Sequence, residues 1–101
     1  MKHPLKKDYD ALFTKGKRLR SAHHIFFYNA SPQSVFKVAA KKKIGNAVSR
    51  NWHKRRLRSI LSSVSFSKGY FILGVVLRGH CLSFEEEKKI VCRSLRSIIS
   101  P

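Results

Sequence analysis

Apolar residues recur along this chain at two spacings, and each predicts a different kind of element. Near the start, Leu5, Tyr9, Leu12 and Phe13 fall at helical intervals, which predicts a short helix from Asp8 to Lys15 ended by Gly16. The run from His24 to Tyr28 is rich in aromatic and β-branched residues and precedes a turn cluster, Asn29-Ala30-Ser31-Pro32. Ser34 to Ala40 is again short and apolar-leaning, so the two runs are expected to pair as antiparallel strands.

Charge and glycine from Lys41 to Asn46 break this pattern before a helix predicted from about Ala47 to Ser62. Tyr70 to Arg78 is a continuous apolar run enriched in Val and Ile, as expected of a strand buried on both faces. Ser83-Phe84-Glu85-Glu86 fits a capping box, and the acids Glu85, Glu86 and Glu87 sit at the positive end of the helix dipole. Phe84, Val91, Leu95 and Ile98 then share one side of a helix reaching about Ile99. The order helix, strand, strand, helix, strand, helix predicts an α/β (α+β) two-layer sandwich with helices packed on a sheet.

At 101 residues the chain has room for one domain, residues 1–101, and a hydrophobic fraction of 43% suffices for a modest core. Charge changes the picture more than size does. Lys and Arg number 22 against 5 acids, a formal net charge of +17, and no Asp or Glu occurs from Ala11 through Phe84. Such a field opposes compaction and is relieved by a polyanion, so nucleic acid or an anionic membrane is the expected partner. The longest apolar run, Tyr70 to Leu77, is far short of the roughly 20 residues that span a bilayer. With no apolar h-region in Met1 to Asp10 either, the expectation is a cytoplasmic protein with no membrane partner and no small-molecule substrate.

Candidate chemistry is sparse. Cys81 and Cys92 have no companions at metal-ligand spacing, and His80 beside Cys81 finds no second pair along the chain, so reduced thiols and no metal held by the protein alone are expected. Asp8, Asp10 and Glu85 to Glu87 are the available carboxylates, and the last three read as helix capping. His23, His24 and His53 lack an evident nucleophile or acidic orienter in the sequence, so no catalytic side chain is expected.

The most informative stretch lies between Lys41 and Arg58, which holds eight basic residues and no acid. At about 100° per residue, Leu57, Ile60, Leu61 and Val64 share one face of the predicted helix, while Asn51, Lys54, Arg55 and Arg58 occupy a separate arc. One side can dock on the sheet while the other offers a row of donors: the planar forks of Arg and the point charge of Lys both suit phosphate. A solvated cationic face is the simpler alternative, yet no interleaved Glu supplies the usual i, i+4 pairing. Gly45-Asn46 ahead of the helix is a φ-tolerant turn whose N–H groups could meet a phosphate, without the spacing of a P-loop.

The run Lys42-Lys43-Ile44-Gly45-Asn46-Ala47-Val48-x-Arg50-Asn51-x-x-Lys54-Arg55-x-x-Arg58 closely resembles the signature of the ribonuclease P protein subunit family. Leu5 to Tyr9 with Phe13 and Gly16 resembles that family's N-terminal helix, and Arg78 followed by Leu82 to Glu85 its last strand and helix, so the resemblance covers nearly the whole chain. It implies an α-β-β-(β)-α-β-α fold, similar to a ribosomal protein domain, with a left-handed crossover between parallel strands. It also implies two RNA surfaces. Lys42, Lys43, Asn46, Arg50, Asn51, Trp52, Lys54, Arg55 and Arg58 would face the catalytic RNA. Tyr9, Phe13 and Phe27 would line a cleft for the single-stranded 5′ leader of precursor tRNA, with core packing as the alternative role for Tyr9 and Phe13.

This sequence departs from the family pattern at Trp52, where the motif has Arg, at His53 and at Arg56, where aliphatic residues are usual, and in the strand Phe36 to Ala40. The resemblance implies phosphodiester hydrolysis with Mg²⁺ held mainly by the RNA, the protein adding substrate affinity and charge neutralisation. A ribosomal-protein-like structural RNA-binding role, or nonspecific DNA compaction, are the other readings of so basic a domain.

Overall fold

The computed structural model describes residues 12–99. Tyr9, Asp8, Asp10 and the first half of the helix predicted from Asp8 to Lys15 lie outside them; residues 12–15 are helical, and Gly16 N–H closes the turn on Leu12 O at 3.1 Å. Four strands are present, the three predicted from the residue pattern and one more ahead of them: β1 (Lys17–Arg20), β2 (His24–Ala30), β3 (Val35–Ala40) and β4 (Tyr70–Val76). A 3-10 turn (Lys42–Ile44) and helix α1 (Ala47–Ser62) separate β3 from β4, and α2 (Phe84–Ser94) comes last.

The strands form one sheet in the order β1-β2-β4-β3, antiparallel except for the parallel pair β3–β4. The expected antiparallel pairing of the two runs on either side of Asn29 to Pro32 is therefore corrected: β4 lies between them. A two-faced apolar strand belongs in the interior of a sheet, and nearly all of β4 is buried, whereas every residue of β3 keeps partial exposure. The α1 crossover makes this possible, since a parallel neighbour needs a connection long enough to return the chain to the same end. Strand β1 carries no apolar periodicity that would announce it; three of its four residues, Lys17, Arg18 and Arg20, are cations, a common way to guard a sheet edge.

Alternation along the strands divides the core in two. Phe26, Tyr28, Tyr70, Ile72 and Val76 meet Leu57, Ile60 and Leu61 of α1 and Val91, Leu95 and Ile98 from the last helix and the turn after it. Phe71 and Leu73 point the other way and pack with Leu12, flanked by Phe27, Val35 and Val75. Gly74 sets how closely α1 approaches. A Cβ there would stand 2.9 Å from Leu57 Cδ2 and 3.1 Å from Phe26 Cε1, inside contact distance.

Two helix details differ from the sequence pattern. Helix α1 ends at Ser62, where Ser63 N–H turns back to Ile60 O at 3.0 Å, so Val64 falls in the following loop and His53 takes the fourth buried position on the docking face. Helix α2 ends at Ser94 and hands over to turns through Ile98, with Ile99 bridging Phe66. On α2 the buried positions are Glu87 and Val91, whereas Phe84 remains 38% exposed, because the helix turns a carboxylate and not the ring toward β2. Among the described residues no helix is long and apolar enough to cross a membrane.

Candidate nucleic-acid interface

The start of α1 is fixed by local chemistry. Gly45 adopts φ 135°, a conformation that side-chain-bearing residues rarely take, and it delivers Asn46 as N-cap. The Asn46 side-chain oxygen accepts the Ser49 N–H at 3.0 Å, so this residue, expected at the RNA surface, is committed on its oxygen side to the helix terminus. Lys42 and Lys43 are exposed on the preceding turn.

From this end the outer arc of α1 presents Asn51, Arg55 and Arg58 to solvent, with Arg50 and Lys54 half-buried beside β3. Ala40, Ala47, Arg50, Asn51 and Lys54 line a shallow open cleft of about 220 Å³, at whose wall the Arg50 Nε is buried without a hydrogen-bond partner. The ion pairs among the described residues all converge on Glu87, so none of these cations has a carboxylate partner there. Arg56 belongs to the other side of the helix. Its guanidinium lies 4.9 Å from the centre of the Trp52 ring and 5.9 Å from that of Phe84, and its Nε is 3.1 Å from Glu87 Oε1. Trp52 is thereby held with 47% of its surface exposed.

The far face of the sheet carries a second candidate surface. Phe13, 54% exposed, meets Phe27 edge-to-face at 5.0 Å between ring centres. Arg18 stands across from Phe27, Arg20 across from Ile25, and Lys37 across from Leu73, so cations from two edge strands flank the apolar strip. Sequence reasoning missed Arg18, Arg20 and Lys37. The period-two placement of Arg18 and Arg20 around Leu19 was the one signal that could have found them. Tyr9, expected in the same cleft, is outside the described residues.

Beneath α1 lies a polar cluster that the spacing along the chain concealed. His24, expected to lack an acidic orienter, has Nε2 2.8 Å from Glu87 Oε2, and His80 Nε2 is 3.1 Å from the same oxygen. Glu87 is thus no capping residue: it is fully buried, and the cap is made by Ser83 and Glu86. Burial works against the Glu87 charge, but the His24 hydrogen bond and the nearby His80 and Arg56 outweigh it and hold the carboxyl below its ordinary value. Burial also pushes the imidazoles of His53 and His80 down, partly offset by Glu87.

A parallel β-α-β unit bearing a cationic helix without carboxylate partners among the described residues, on a sheet whose other face sets aromatic rings between cations, defines a small basic α+β domain. The family model for ribonuclease P matches residues 4–100, and the chain belongs to that family. A ribonuclease P protein component from Streptococcus agalactiae is 37% identical over 59 residues, covering 56% of this chain and 54% of the relative. One from Onion yellows phytoplasma is 34% identical over 95 residues, covering 86% and 67%. The matched stretch thus spans about half the length of the streptococcal relatives. In fold, the chain is similar to the ribonuclease P protein of Thermotoga maritima, with a TM-score of 0.82 at 22% identity over 97% of each chain. The Staphylococcus aureus protein gives 0.78 at 16% identity over 94% of this chain and 92% of that one.

Proposed function

We propose that this chain is the protein component of a ribonuclease P ribonucleoprotein and that it acts in tRNA 5′ processing as part of an endoribonuclease complex. The observation that carries the reading is the outer arc of α1, where Arg50, Asn51, Lys54, Arg55 and Arg58 stand together with no carboxylate partner among the described residues. Aligned guanidinium and ammonium groups gain most where a phosphate backbone releases its counterions to them, and a folded RNA supplies such a backbone at fixed spacing. Lys42 and Lys43 extend the row past the N-cap, and Trp52, half-exposed with Arg56 behind it, offers a ring to a base or ribose.

The second surface takes the single-stranded 5′ leader of precursor tRNA. Phe13 and Phe27 give unpaired bases a stacking platform, and Arg18, Arg20 and Lys37 neutralise the backbone on either side. Hydrolysis itself falls to the catalytic RNA and its bound Mg²⁺. The protein's part is to bind both RNAs and to lower the metal concentration they need, by supplying cations of its own. On this reading the particle works in the cytoplasm, where precursor tRNA is available.

Reconstitution tests the reading. The purified chain added to the ribonuclease P RNA of the same cell at low Mg²⁺ should stimulate release of 5′ leaders. Tight binding to ribosomal RNA with no effect on leader removal would instead identify a structural RNA-binding protein.

A further inference from the structure

The polar cluster beneath α1 contains more buried, electron-rich atoms than its own hydrogen bonds use. His24 and Glu87 are fully buried and the His80 side chain is 3% exposed. The coordinating atoms of the three residues lie within 4.8 Å of one another. His53, itself buried, packs its ring 4.8 Å from that of His80, and its Nδ1 has no hydrogen-bond partner. Glu87 Oε1 and Arg56 Nε are close enough for an ion pair at 3.1 Å yet misaligned for a hydrogen bond, so both also count as unsatisfied. Two acceptor atoms beside this buried group, His53 Nδ1 and Glu87 Oε1, thus keep bonding capacity that the fold's own hydrogen bonds do not use.

We infer that His24, His80 and Glu87 form a site for a divalent transition-metal ion of the zinc class. Two imidazole nitrogens and one carboxylate oxygen are a borderline donor set, suited to Zn²⁺ and its neighbours and poorly suited to Mg²⁺ or Ca²⁺. Bonds of about 2.0–2.2 Å in tetrahedral array place donors roughly 3.3 Å apart. The separations of 2.8 and 3.1 Å to Glu87 Oε2 need to open by a few tenths of an ångström, and the edge between the two imidazoles, within the 4.8 Å span of the group, needs to close by up to about 1.5 Å.

The surroundings are those of an oriented site. Ser21 Oγ lies 3.5 Å from His24 Nδ1, where it can accept the ring proton once Nε2 turns to a metal. The Arg56 guanidinium faces the other carboxylate oxygen as an ion pair at 3.1 Å. His80 must exchange one contact: Leu82 N–H donates to its Nδ1 at 3.3 Å, and coordination through Nε2 moves the ring proton to Nδ1. No proton is lost in that tautomeric change. The ion would join β2, the loop before α2 and α2 itself beneath the helix that carries the cationic row, and the Arg56 charge limits its affinity below that of thiolate sites.

The experiment uses the full chain stripped with chelator and titrated with ZnCl₂, and in parallel with CoCl₂. Zn²⁺ at a free concentration about a hundred times its dissociation constant should raise the thermal midpoint by roughly 10–20 °C. Co²⁺ should develop the visible d–d absorption of a four-coordinate N/O site. His80→Asn, placed in a loop where folding should survive, is expected to abolish both signals, and Glu87→Gln serves as the second variant. No midpoint shift and no cobalt band in the parent chain, or signals that persist undiminished in folded His80→Asn, would overturn the assignment.

Discussion

Replacing Arg55 and Arg58 together by Ala isolates the role proposed for the outer arc of α1. Both side chains are exposed, neither has an ion-pair partner among the described residues, and neither touches the buried face formed by His53, Leu57, Ile60 and Leu61. The fold should therefore keep its stability to within about 0.5 kcal/mol. If each cation neutralises one phosphate, log K against log salt loses about 0.9 per contact, or roughly 1.8 for the pair. Between 50 and 200 mM salt that difference multiplies the affinity gap between parent and variant by about 12, the gap being larger at low salt. Filter binding to the ribonuclease P RNA at four or five salt concentrations measures it. Arg56→Ala is the internal contrast: its head lies on Glu87 and Trp52, so it should leave the slope unchanged. It should instead lower stability by about 1–3 kcal/mol through a less satisfied buried carboxylate. Parallel slopes for the parent and the double variant, with both proteins folded, would refute the assignment of this face.

Three other outcomes follow from the geometry. Phe13→Ala should weaken leader-bearing precursor tRNA by about 1–3 kcal/mol while leaving mature tRNA nearly unaffected, because the exposed ring beside Phe27 stacks an unpaired base; equal losses for both ligands in a binding titration would exclude the cleft. Gly74→Ala should cost about 1–3 kcal/mol, read as a lower urea midpoint, since the new methyl meets Leu57 and Phe26 inside contact distance. For the metal-free chain, acid should destabilise in two stages. His53 and His80 have folded values below 6.5, so the unfolded chain takes up protons first and stability declines as pH falls from that value. Glu87, depressed from 4.5, contributes stability above its ordinary value that is lost as pH drops through its lower folded one. Urea midpoints between pH 8 and 3 report both stages, and a flat profile from pH 7 to 5 would contradict the first.

Local pattern was enough for most elements and for the cationic row. Helix α1, with Leu57, Ile60 and Leu61 inward and Asn51, Arg55 and Arg58 outward, is legible because a helix has a fixed period and the chain around it contains no acid. The capping box at Ser83 and Glu86 is legible for the same reason: its hydrogen bonds span three residues. Strand β1 escaped notice because an exposed edge imposes no apolar alternation.

Only the tertiary structure decided what lies beside what across long separations. It placed β4 between β2 and β3, set Arg18, Arg20 and Lys37 around Phe27, and brought Glu87 to His24, 63 positions away. Such neighbours are chosen by sheet order and by the closeness of helix to strand that Gly74 permits, and neither leaves a period in the sequence. The chain by itself determined that this protein carries cations on a helix; the fold determined which of them lack a carboxylate partner among the described residues and which one, Arg56, is bound to the interior.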